Sequence, residues 1–293
     1  MGCERINNKI EERFQESIIE DSKYIEPWMI SWDYQEERVK NIRYPKDYPA
    51  KFDTFDGISD IEKWINWISK SEFKDDIPDR IIDGYSNLSY KYDKEILNIK
   101  DKEKYLSTIG RYNAEDYIYQ NRYNWNNKIL DFGPGYGRQI NLLSQLTNEL
   151  VYVGIEGILQ PYCMQNLYYS NSRYPLYEYM DDKNIEISES GIYHLPTWRC
   201  DKLPNNYFDE IMCIQVLQEI NKDLLIHILH VFSNILKRNG ILYIRDHGKE
   251  WKYSSHDIDI EEILPSYGFE LTYKSDLKDM IEIHGITRVW RKI

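Results

Sequence analysis

The second half of the chain alternates short apolar runs with segments of helical periodicity. Apolar runs at 128–132, 150–155, 208–214 and 240–245 predict buried strands. Helical patterns lie between these runs, and this alternation is typical of a parallel sheet covered by helices on both faces. We therefore expect a doubly wound α/β fold in this half.

One helix is predicted in detail, in the segment NKDLLIHILHVFSNILKRNG at 221–240. Asn221 can cap its N-terminus. Lys237 and Arg238 would suit the negative end of the helix dipole, and Gly240 would end the helix. Its buried stripe should contain Leu224, Leu225, Ile228, Leu229, Phe232, Ile235 and Leu236.

The C-terminal tail departs from this alternation. The stretches FELTYKSD and IHGITRVWRKI are two strand candidates, and only residues 277–282 connect them. A connection this short cannot contain the crossover that parallel neighbours need, so these two strands should pair antiparallel.

The first part of the chain shows helices and loops instead of strands. Charged segments with spaced apolar residues predict helices at 8–19, 59–69 and 112–125. In the second of these, Ser59 and Glu62 have the spacing of a capping box. Its buried face should consist of Ile61, Trp64, Ile65 and Ile68.

The chain has 293 residues, of which 42% are hydrophobic, and this allows one large domain or one domain with a smaller attachment. We expect a mainly helical N-terminal cap or substrate region at 1–124 and a sheet domain at 125–293. The formal net charge of −12 argues against a broad nucleic-acid footprint. No apolar run reaches the roughly 18 residues that cross a bilayer, and no apolar signal region opens the chain, so we expect a cytoplasmic protein.

The stretch KILDFGPGYGRQI at 128–140 holds three glycines at alternate positions, Gly133, Gly135 and Gly137. Dinucleotide-binding turns have the spacing G-x-G-x-x-G, whereas here the third glycine falls one residue early and Arg138 stands in its place. The Gly-Lys-Ser/Thr of a phosphate-binding loop does not follow either. The turn is therefore a poor match to sites that bind nucleotide phosphates.

S-Adenosylmethionine is a second ligand for such a turn, and it carries a carboxylate, an ammonium and a sulfonium but no phosphate. Glycines let the backbone approach the carboxylate with free N–H groups. Asp131 supplies negative charge for the ammonium, whereas it would repel a pyrophosphate. Glu156 ends the next apolar run, about twenty residues past the turn, and an acid there can bind both ribose hydroxyls.

These motifs carry a family resemblance. Residues 125–293 resemble a class I S-adenosylmethionine-dependent methyltransferase: ILDFGPGYG resembles its first motif and VGIEG its second. YFDEIMCIQVLQEI resembles the strand that passes the adenine and sulfonium, and LKRNGILYIRD resembles the fifth strand with its preceding turn. The resemblance implies a doubly wound, mostly parallel seven-stranded sheet with an antiparallel C-terminal strand. It also implies S-adenosyl-L-methionine as the cofactor.

A narrower resemblance concerns the acceptor. RYNAEDYIYQNRYNW, QNLYYSNS, YHLPTW and VLQEI are similar to segments of the sugar O-methyltransferases of bacterial surface-polysaccharide and antibiotic clusters. That family usually has Asp-Leu-Pro where this chain has Glu156, Gly157 and Ile158, and its glycine turn usually lacks a residue like Pro134. The resemblance implies methylation of a sugar or glycan hydroxyl in polysaccharide or natural-product biosynthesis.

Two other functions stay open at this point. The same cofactor could serve an N- or C-methyltransferase that acts on a small molecule or peptide. Alternatively, the chain could be a non-catalytic methyltransferase-like subunit that binds a partner. A helical N-terminal region could also serve a homodimer.

In the family that the motifs resemble, the ligand lies across the carboxyl ends of the strands. The residues expected at the cofactor are Asp131, Gly133, Pro134, Gly135, Gly137, Glu156, Gly157, Ile158, Thr197, Trp198 and Gln215. Of these, Ile158, Thr197 and Trp198 should lie near the adenine. Gln215 should face the methionine portion, and Tyr136 would be either a lid over the ligand or a surface ring.

A sugar hydroxyl has a high pKa, so its methylation gains from a general base, and histidine suits that role near neutral pH. His247 follows the fifth strand, where acceptors lie in this family, and it is the first candidate, with Asp246 orienting it. His194 and His256 are lesser candidates. The other histidines, His227, His230 and His284, are expected to be structural.

A divalent ion could hold two sugar hydroxyls, with oxygen ligands from Asp246, Asp257 and Asp259. Their spacing matches no fixed motif, and the cysteines Cys3, Cys163, Cys200 and Cys213 lack close-pair metal spacing. We therefore assign no metal ligands. Four aromatic residues of the N-terminal region would either stack on the acceptor or pack this region onto the sheet domain: Trp28, Trp32, Tyr112 and Tyr119.

Overall fold

The computed structural model describes most of the chain. The described residues are 2–25, 59, 61–63, 65, 79–97, 99–121, 127–249, 254–275 and 285–293. Several predictions fall outside them, namely those for Trp28, Trp32, Trp64, Ile68, His284, the side chain of Tyr119 and the link at 277–282. Within the described part of the chain, no helix has the length and apolar character that crossing a membrane requires.

One eight-stranded sheet forms the centre of the described structure. Its strands are β1 (Lys128–Phe132), β2 (Val151–Glu156), β3 (Leu176–Glu178), β4 (Gly191–Pro196), β5 (Phe208–Ile214), β6 (Leu236–Asp246), β7 (Phe269–Lys274) and β8 (Ile286–Lys292). They are arranged in the order β3-β4-β2-β1-β5-β6-β8-β7. β8 pairs antiparallel with β6 and β7, and the other neighbouring pairs are parallel.

The sheet confirms the predicted fold class and the antiparallel pairing of the tail. The four apolar runs all form strands. The expected number of seven strands is exceeded by one, because the three-residue β3 adds an edge strand beside β4. β4 was not among the predicted runs, since its sequence GIYHLP contains histidine and proline although every residue is buried.

Eight α-helices have both ends within the described part of the chain. They are α1 (Gly2–Glu20), α2 (Asp79–Ile96), α3 (Lys102–Tyr105), α4 (Arg111–Asn121), α5 (Ile140–Leu146), α6 (Leu159–Tyr169), α7 (Lys222–Ile235) and α8 (Ile260–Ile263). A π-helical turn at Leu106–Gly110 joins α3 to α4, and 3-10 turns lie at Ser22–Tyr24, Thr197–Lys202 and Leu264–Tyr267. α1 confirms the helix predicted at 8–19, and α4 confirms the described part of the helix predicted at 112–125, whose residues 122–125 lie outside the described ranges. The described residues of 59–69 are helical, and Ile61 is buried.

Helix α7 begins as predicted and ends earlier. The Asn221 side chain accepts a hydrogen bond from the N–H of Leu224 at 2.9 Å, which caps the helix. The predicted end at Gly240 is wrong, since the helix stops at Ile235 and strand β6 starts with the next residue.

Pairing with β5 explains the early end of α7. Leu236 is buried and pairs with Phe208, so the chain is already extended where the sequence pattern is still helical. Asn239 then adopts a left-handed backbone with φ of 65°. Lys237 binds Asp209, with an Nζ–Oδ1 distance of 2.5 Å, instead of lying at the helix terminus.

Helices cover both faces of the sheet. α1, α7 and α8 pack on one face, whereas α2, α4 and α5 pack on the other, and α6 contributes apolar residues to both. The described parts of the N-terminal region therefore lie on opposite faces of the sheet. The division into two domains at residue 125 stays a prediction.

A buried charge cluster fastens α4 to the sheet. Asp116 accepts hydrogen bonds from Arg138 at 2.5 Å, Arg245 at 2.9 Å and the Tyr243 hydroxyl at 2.7 Å. Burial would raise the pKa of Asp116, but the two arginines outweigh it and lower the pKa. The Tyr112 ring lies 4.2 Å from the Arg138 guanidinium and 4.1 Å from that of Arg245. Tyr112 therefore packs the N-terminal region onto the sheet, the second of the predicted alternatives.

Candidate functional site

The glycine turn connects β1 to α5, and its three glycines are all left-handed. Gly133, Gly135 and Gly137 have φ angles of 69°, 64° and 92°. A Cβ on Gly133 would lie 2.4 Å from Val216, and a Cβ on Gly137 would lie 2.6 Å from Tyr169. A Cβ on Gly135 would meet no atom within 4 Å. The outer two glycines thus permit close packing, whereas Gly135 borders open space.

The residues between the glycines are buried. Pro134 closes the turn with its carbonyl, which accepts a hydrogen bond from the N–H of Gly137 at 3.0 Å. The Tyr136 ring is buried and packs edge-on against Tyr168 at a centroid distance of 5.3 Å. Tyr136 is therefore a core residue, and the surface-ring and lid alternatives are both wrong.

Asp131 lies on β1, two residues before the first glycine. Its Oδ2 accepts a hydrogen bond from the Tyr152 hydroxyl at 2.6 Å. Burial raises the pKa of Asp131 to about 7, against the opposing effects of the Tyr152 hydrogen bond and the Arg138 charge. A cation that approached this carboxyl group would favour its ionised form.

Glu156 ends β2, the strand next to β1. Its Oε1 accepts hydrogen bonds from the main-chain N–H groups of Gly157 at 2.8 Å and Ile158 at 3.0 Å. Burial raises its pKa to about 7, and these hydrogen bonds only partly offset the effect. The carboxyl ends of β1 and β2 therefore each present a buried acid.

A residue that the sequence reasoning missed connects these two strand ends. Gln165 on α6 donates from Nε2 to the carbonyl of Gly135 at 2.7 Å and to Oε2 of Glu156 at 3.1 Å. The signal available in the sequence was the presence of Gln160, Gln165 and Asn166 in an otherwise apolar helix. Polar side chains that a helix buries need hydrogen-bond partners.

The turn after β4 brings one predicted adenine contact close to β2. A Cβ on Gly157 would lie 2.9 Å from Oγ1 of Thr197, so these two strand ends are in contact. Trp198 lies farther along this turn, and it packs against α1. Its indole N–H donates to Asp21 at 3.3 Å, and its ring meets Phe14 edge-on at 5.3 Å.

Two glutamines and a histidine meet at the carboxyl ends of β5 and β6. Gln215 follows β5 in a left-handed conformation with φ of 60°, which is uncommon for a residue other than glycine. Gln218 accepts the main-chain N–H of His247 at 2.6 Å and donates from Nε2 to Oε1 of Gln215 at 2.7 Å. The main-chain N–H of His247 can only donate, so the side-chain oxygen of Gln218 must face it. The NH2 group of Gln218 then faces Gln215, whose side-chain oxygen accepts the hydrogen bond.

Asp246 stabilises the turn that carries His247. Its carboxylate accepts hydrogen bonds from the N–H of Gly248 and from Arg288, each at 3.0 Å. Burial raises the pKa of Asp246 despite the nearby charge of Arg288. The predicted orientation of the His247 ring by Asp246 stays a prediction.

Two lesser base candidates are enclosed by other groups. His194 is fully buried on β4. His256 binds the carbonyl of Leu217 through Nε2 at 2.8 Å, and its Nδ1 accepts the N–H of Ile258 at 3.2 Å. Both ring nitrogens of His256 therefore have main-chain partners. His247, at the end of β6, is only partly buried.

Two of the three aspartates considered for a metal ion have other partners. Asp259 caps α8 by accepting the N–H of Glu261 at 2.9 Å, and it lies 3.0 Å from Nζ of Lys249. Asp246 binds Arg288. The described ranges contain no group of three or more histidine, cysteine, aspartate or glutamate side chains that could hold a metal ion.

Comparison with known proteins gives a likeness in fold. No protein-family model and no curated protein matches the sequence. An amino pentose methyltransferase of calicheamicin biosynthesis from Micromonospora echinaspora, with bound S-adenosylmethionine, has a TM-score of 0.46 and 10% identity, over 62% of this chain and 92% of that chain. A candidate O-methyltransferase from Nostoc punctiforme has a TM-score of 0.45 and 13% identity, over 61% and 56% of the two chains.

A third solved structure has a nitrogen acceptor. The 1,6-didemethyltoxoflavin N1-methyltransferase from Burkholderia thailandensis has a TM-score of 0.40 and 14% identity, over 56% of this chain and 70% of that chain. The match to the Nostoc punctiforme protein spans little more than half of that protein's length. In fold, the chain is similar to S-adenosylmethionine-dependent methyltransferases.

Proposed function

We propose that this protein is an S-adenosylmethionine-dependent methyltransferase that acts on a sugar or glycan hydroxyl in polysaccharide or natural-product biosynthesis. The observation that carries the cofactor assignment is the open space beside Gly135. This glycine lies in the turn at the carboxyl ends of the neighbouring strands β1 and β2, which bear the buried acids Asp131 and Glu156. Glycine keeps that space clear, so a ligand can approach the main chain.

The charges at this edge fit a cationic amino acid better than a phosphate. The pKa of Asp131 and that of Glu156 are both raised to about 7, mainly by burial. A phosphate would raise them further, whereas an ammonium group or hydroxyl donors would favour the ionised carboxylates. Asp131 would face the ammonium and Glu156 the ribose, with Ile158 and Thr197 near the adenine. When bound, S-adenosylmethionine supplies a methyl group on a positively charged sulfur.

The ends of β5 and β6 carry the candidate general base for a hydroxyl acceptor. His247 follows β6, and Gln218 connects its main chain to Gln215 at the end of β5. A sugar hydroxyl has a high pKa, so its methylation gains from a base such as histidine. His247, whose main chain Gln218 holds, would accept the hydroxyl proton as general base.

Isothermal titration calorimetry with S-adenosylmethionine tests the cofactor assignment. The wild type should bind, and Asp131→Asn and Glu156→Gln should each weaken binding by about tenfold or more, since each removes a charge at the site. Asp209→Asn is the matched control, because it removes a carboxylate that binds Lys237 on the surface. Absent binding, or equal affinity in all four proteins, would contradict the assignment.

Labelled S-adenosylmethionine, offered with nucleotide sugars and with amines, tests the acceptor. Mass analysis should find label on sugars, and His247→Ala should reduce turnover by about 100-fold or more if the histidine is the base. Label on amines alone would contradict the sugar assignment. Cofactor binding without turnover on either panel would favour the non-catalytic alternative.

Three further expectations stay predictions, namely a cytoplasmic location, a homodimer and a possible divalent ion. Light scattering of the purified protein measures the oligomeric state. Turnover after treatment with a chelator measures the need for a metal ion. A monomer would correct the expected homodimer, and turnover that the chelator leaves unchanged would correct the expected divalent ion.

A further inference from the structure

The Gln165 amide has one allowed orientation. Its Nε2 lies within hydrogen-bond distance of the Gly135 carbonyl and of Oε2 of Glu156, at 2.7 Å and 3.1 Å. The Gly135 carbonyl can only accept, so this contact alone fixes the orientation of the amide. The NH2 group must therefore face these two oxygens, and Oε1 of the fully buried Gln165 must face the other way.

A buried histidine meets the oxygen of this amide. Nε2 of His194 lies 3.0 Å from Oε1 of Gln165. An amide oxygen cannot donate, so Nε2 of the histidine carries a proton. The other ring nitrogen, Nδ1, lies 2.7 Å from Oε2 of Glu178, at a site that is fully shielded from solvent.

Glu178 is surrounded by hydrogen-bond donors. Its Oε1 accepts the Tyr162 hydroxyl and the N–H of Met180, and its Oε2 accepts Nδ2 of Asn166 at 2.7 Å. Donors on both oxygens stabilise the ionised carboxylate, so the proton shared with His194 belongs to Nδ1. The Tyr162 ring also stacks on the imidazole at a centroid distance of 3.8 Å, a contact that favours a cation.

We propose that His194 is an imidazolium, and that it and Gln165 are positioning residues for the cofactor site, an inference that rests on the proposed function. Glu178 accepts one hydrogen bond from the imidazolium, and the oxygen of the Gln165 amide accepts the other. The NH2 group of that amide then ties the Gly135 carbonyl to Glu156. A neutral histidine has one N–H and cannot donate to both partners.

Nitrogen-15 NMR of the wild-type protein, with labelled histidines and without cofactor, tests the protonation state. One of the six histidine side chains should show protons on both ring nitrogens at neutral pH and should be shielded from solvent exchange. Through-bond assignment to the main chain identifies it as His194, so no variant has to fold. A His194 spectrum with one unprotonated ring nitrogen would overturn the proposal.

Gln165→Leu tests the positioning role, because leucine keeps much of the volume and removes both hydrogen-bonding groups. We expect S-adenosylmethionine to bind about tenfold more weakly or worse, with kcat at saturating cofactor changed by less than about threefold. Gln145→Leu is the control: Gln145 is a partly buried glutamine of α5 that donates to the carbonyls of Leu88 and Asn141, each at 2.8 Å. The free energy of unfolding should fall by a similar amount in Gln145→Leu and Gln165→Leu, but Gln145→Leu should keep its affinity for the cofactor.

The outcomes separate this inference from the proposed function. If the wild type binds S-adenosylmethionine and Gln165→Leu binds it equally well, only the positioning role is overturned. The same holds if Gln145→Leu and Gln165→Leu weaken binding alike, because a general loss of packing then accounts for both. If the wild type does not bind the cofactor, the proposed function and the positioning role fail together, and the NMR spectrum still decides the protonation state.

Discussion

Asp116→Asn should strongly destabilise the fold. The substitution keeps the shape of the side chain but removes the negative charge that Arg138 and Arg245 share. Asp116 and Arg245 are each 1% exposed and Arg138 is 6% exposed, so solvent cannot replace the lost charge. The same change also loosens the attachment of α4, which carries Asp116, to β6 and to the glycine turn.

Burial sets the size of the effect. Removing one partner of a buried ion pair costs about 3–5 kcal/mol, and two arginines depend on this carboxylate, so we expect about 4–5 kcal/mol. Asp209→Asn is the surface counterpart. Its pair with Lys237 has side-chain exposures of 27% and 40%, and exposed pairs contribute about 0–1 kcal/mol.

Urea unfolding, followed by far-UV circular dichroism, measures both variants. With a urea dependence of about 3 kcal/mol/M, the midpoint of Asp116→Asn should fall by more than about 1 M, and that of Asp209→Asn by less than about 0.4 M. If the free energies of unfolding of the two variants agreed within about 1 kcal/mol, the argument from burial would be refuted.

Two further predictions concern the candidate site. The pKa values of Asp131 and Glu156, about 7 in the folded protein, lie above the ordinary 3.8 and 4.5. Folding therefore takes up protons in this range, and the free energy of unfolding without cofactor should decrease between about pH 4 and pH 7, by up to about 3 kcal/mol per group. Urea titrations should show a shallower decrease for Asp131→Asn, and a stability that increased over this range would contradict the assignment. Gly137→Ala should destabilise by about 2 kcal/mol or more, because its φ is 92° and Tyr169 would lie 2.6 Å away. Gly84→Ala, on α2 where a Cβ meets no atom within 4 Å, should instead stabilise by up to about 1 kcal/mol, and equal effects would refute the packing argument.

Most of the sheet could be predicted because strand signals are local. The runs at 128–132 and 208–214 coincide with β1 and β5, and the short link before β8 was enough to predict its antiparallel pairing with β7. The end of α7 could not be predicted in this way. Leu236 continues the helical pattern, yet its pairing with Phe208 in β5 extends the chain.

The candidate site was predictable only in part. Gly135, Asp131 and Glu156 follow from a turn and two strand ends, each of which the sequence displays. Gln165 and His194 carry no comparable signal, because a glutamine in a helix and a histidine in a strand have many roles. Their roles depend on contacts between α6, β4 and the glycine turn.

By itself, the sequence determined the alternation of strands and helices, the spacing of the glycines and the positions of two acids. These features depend on residues that are close along the chain. Only the tertiary structure decided which polar groups form hydrogen bonds with each other. Asp116, for example, binds Arg245, which lies 129 positions away along the chain. Burying a polar group without a partner is unfavourable, so each buried group binds what lies next to it in space, and sequence spacing does not reveal that neighbour.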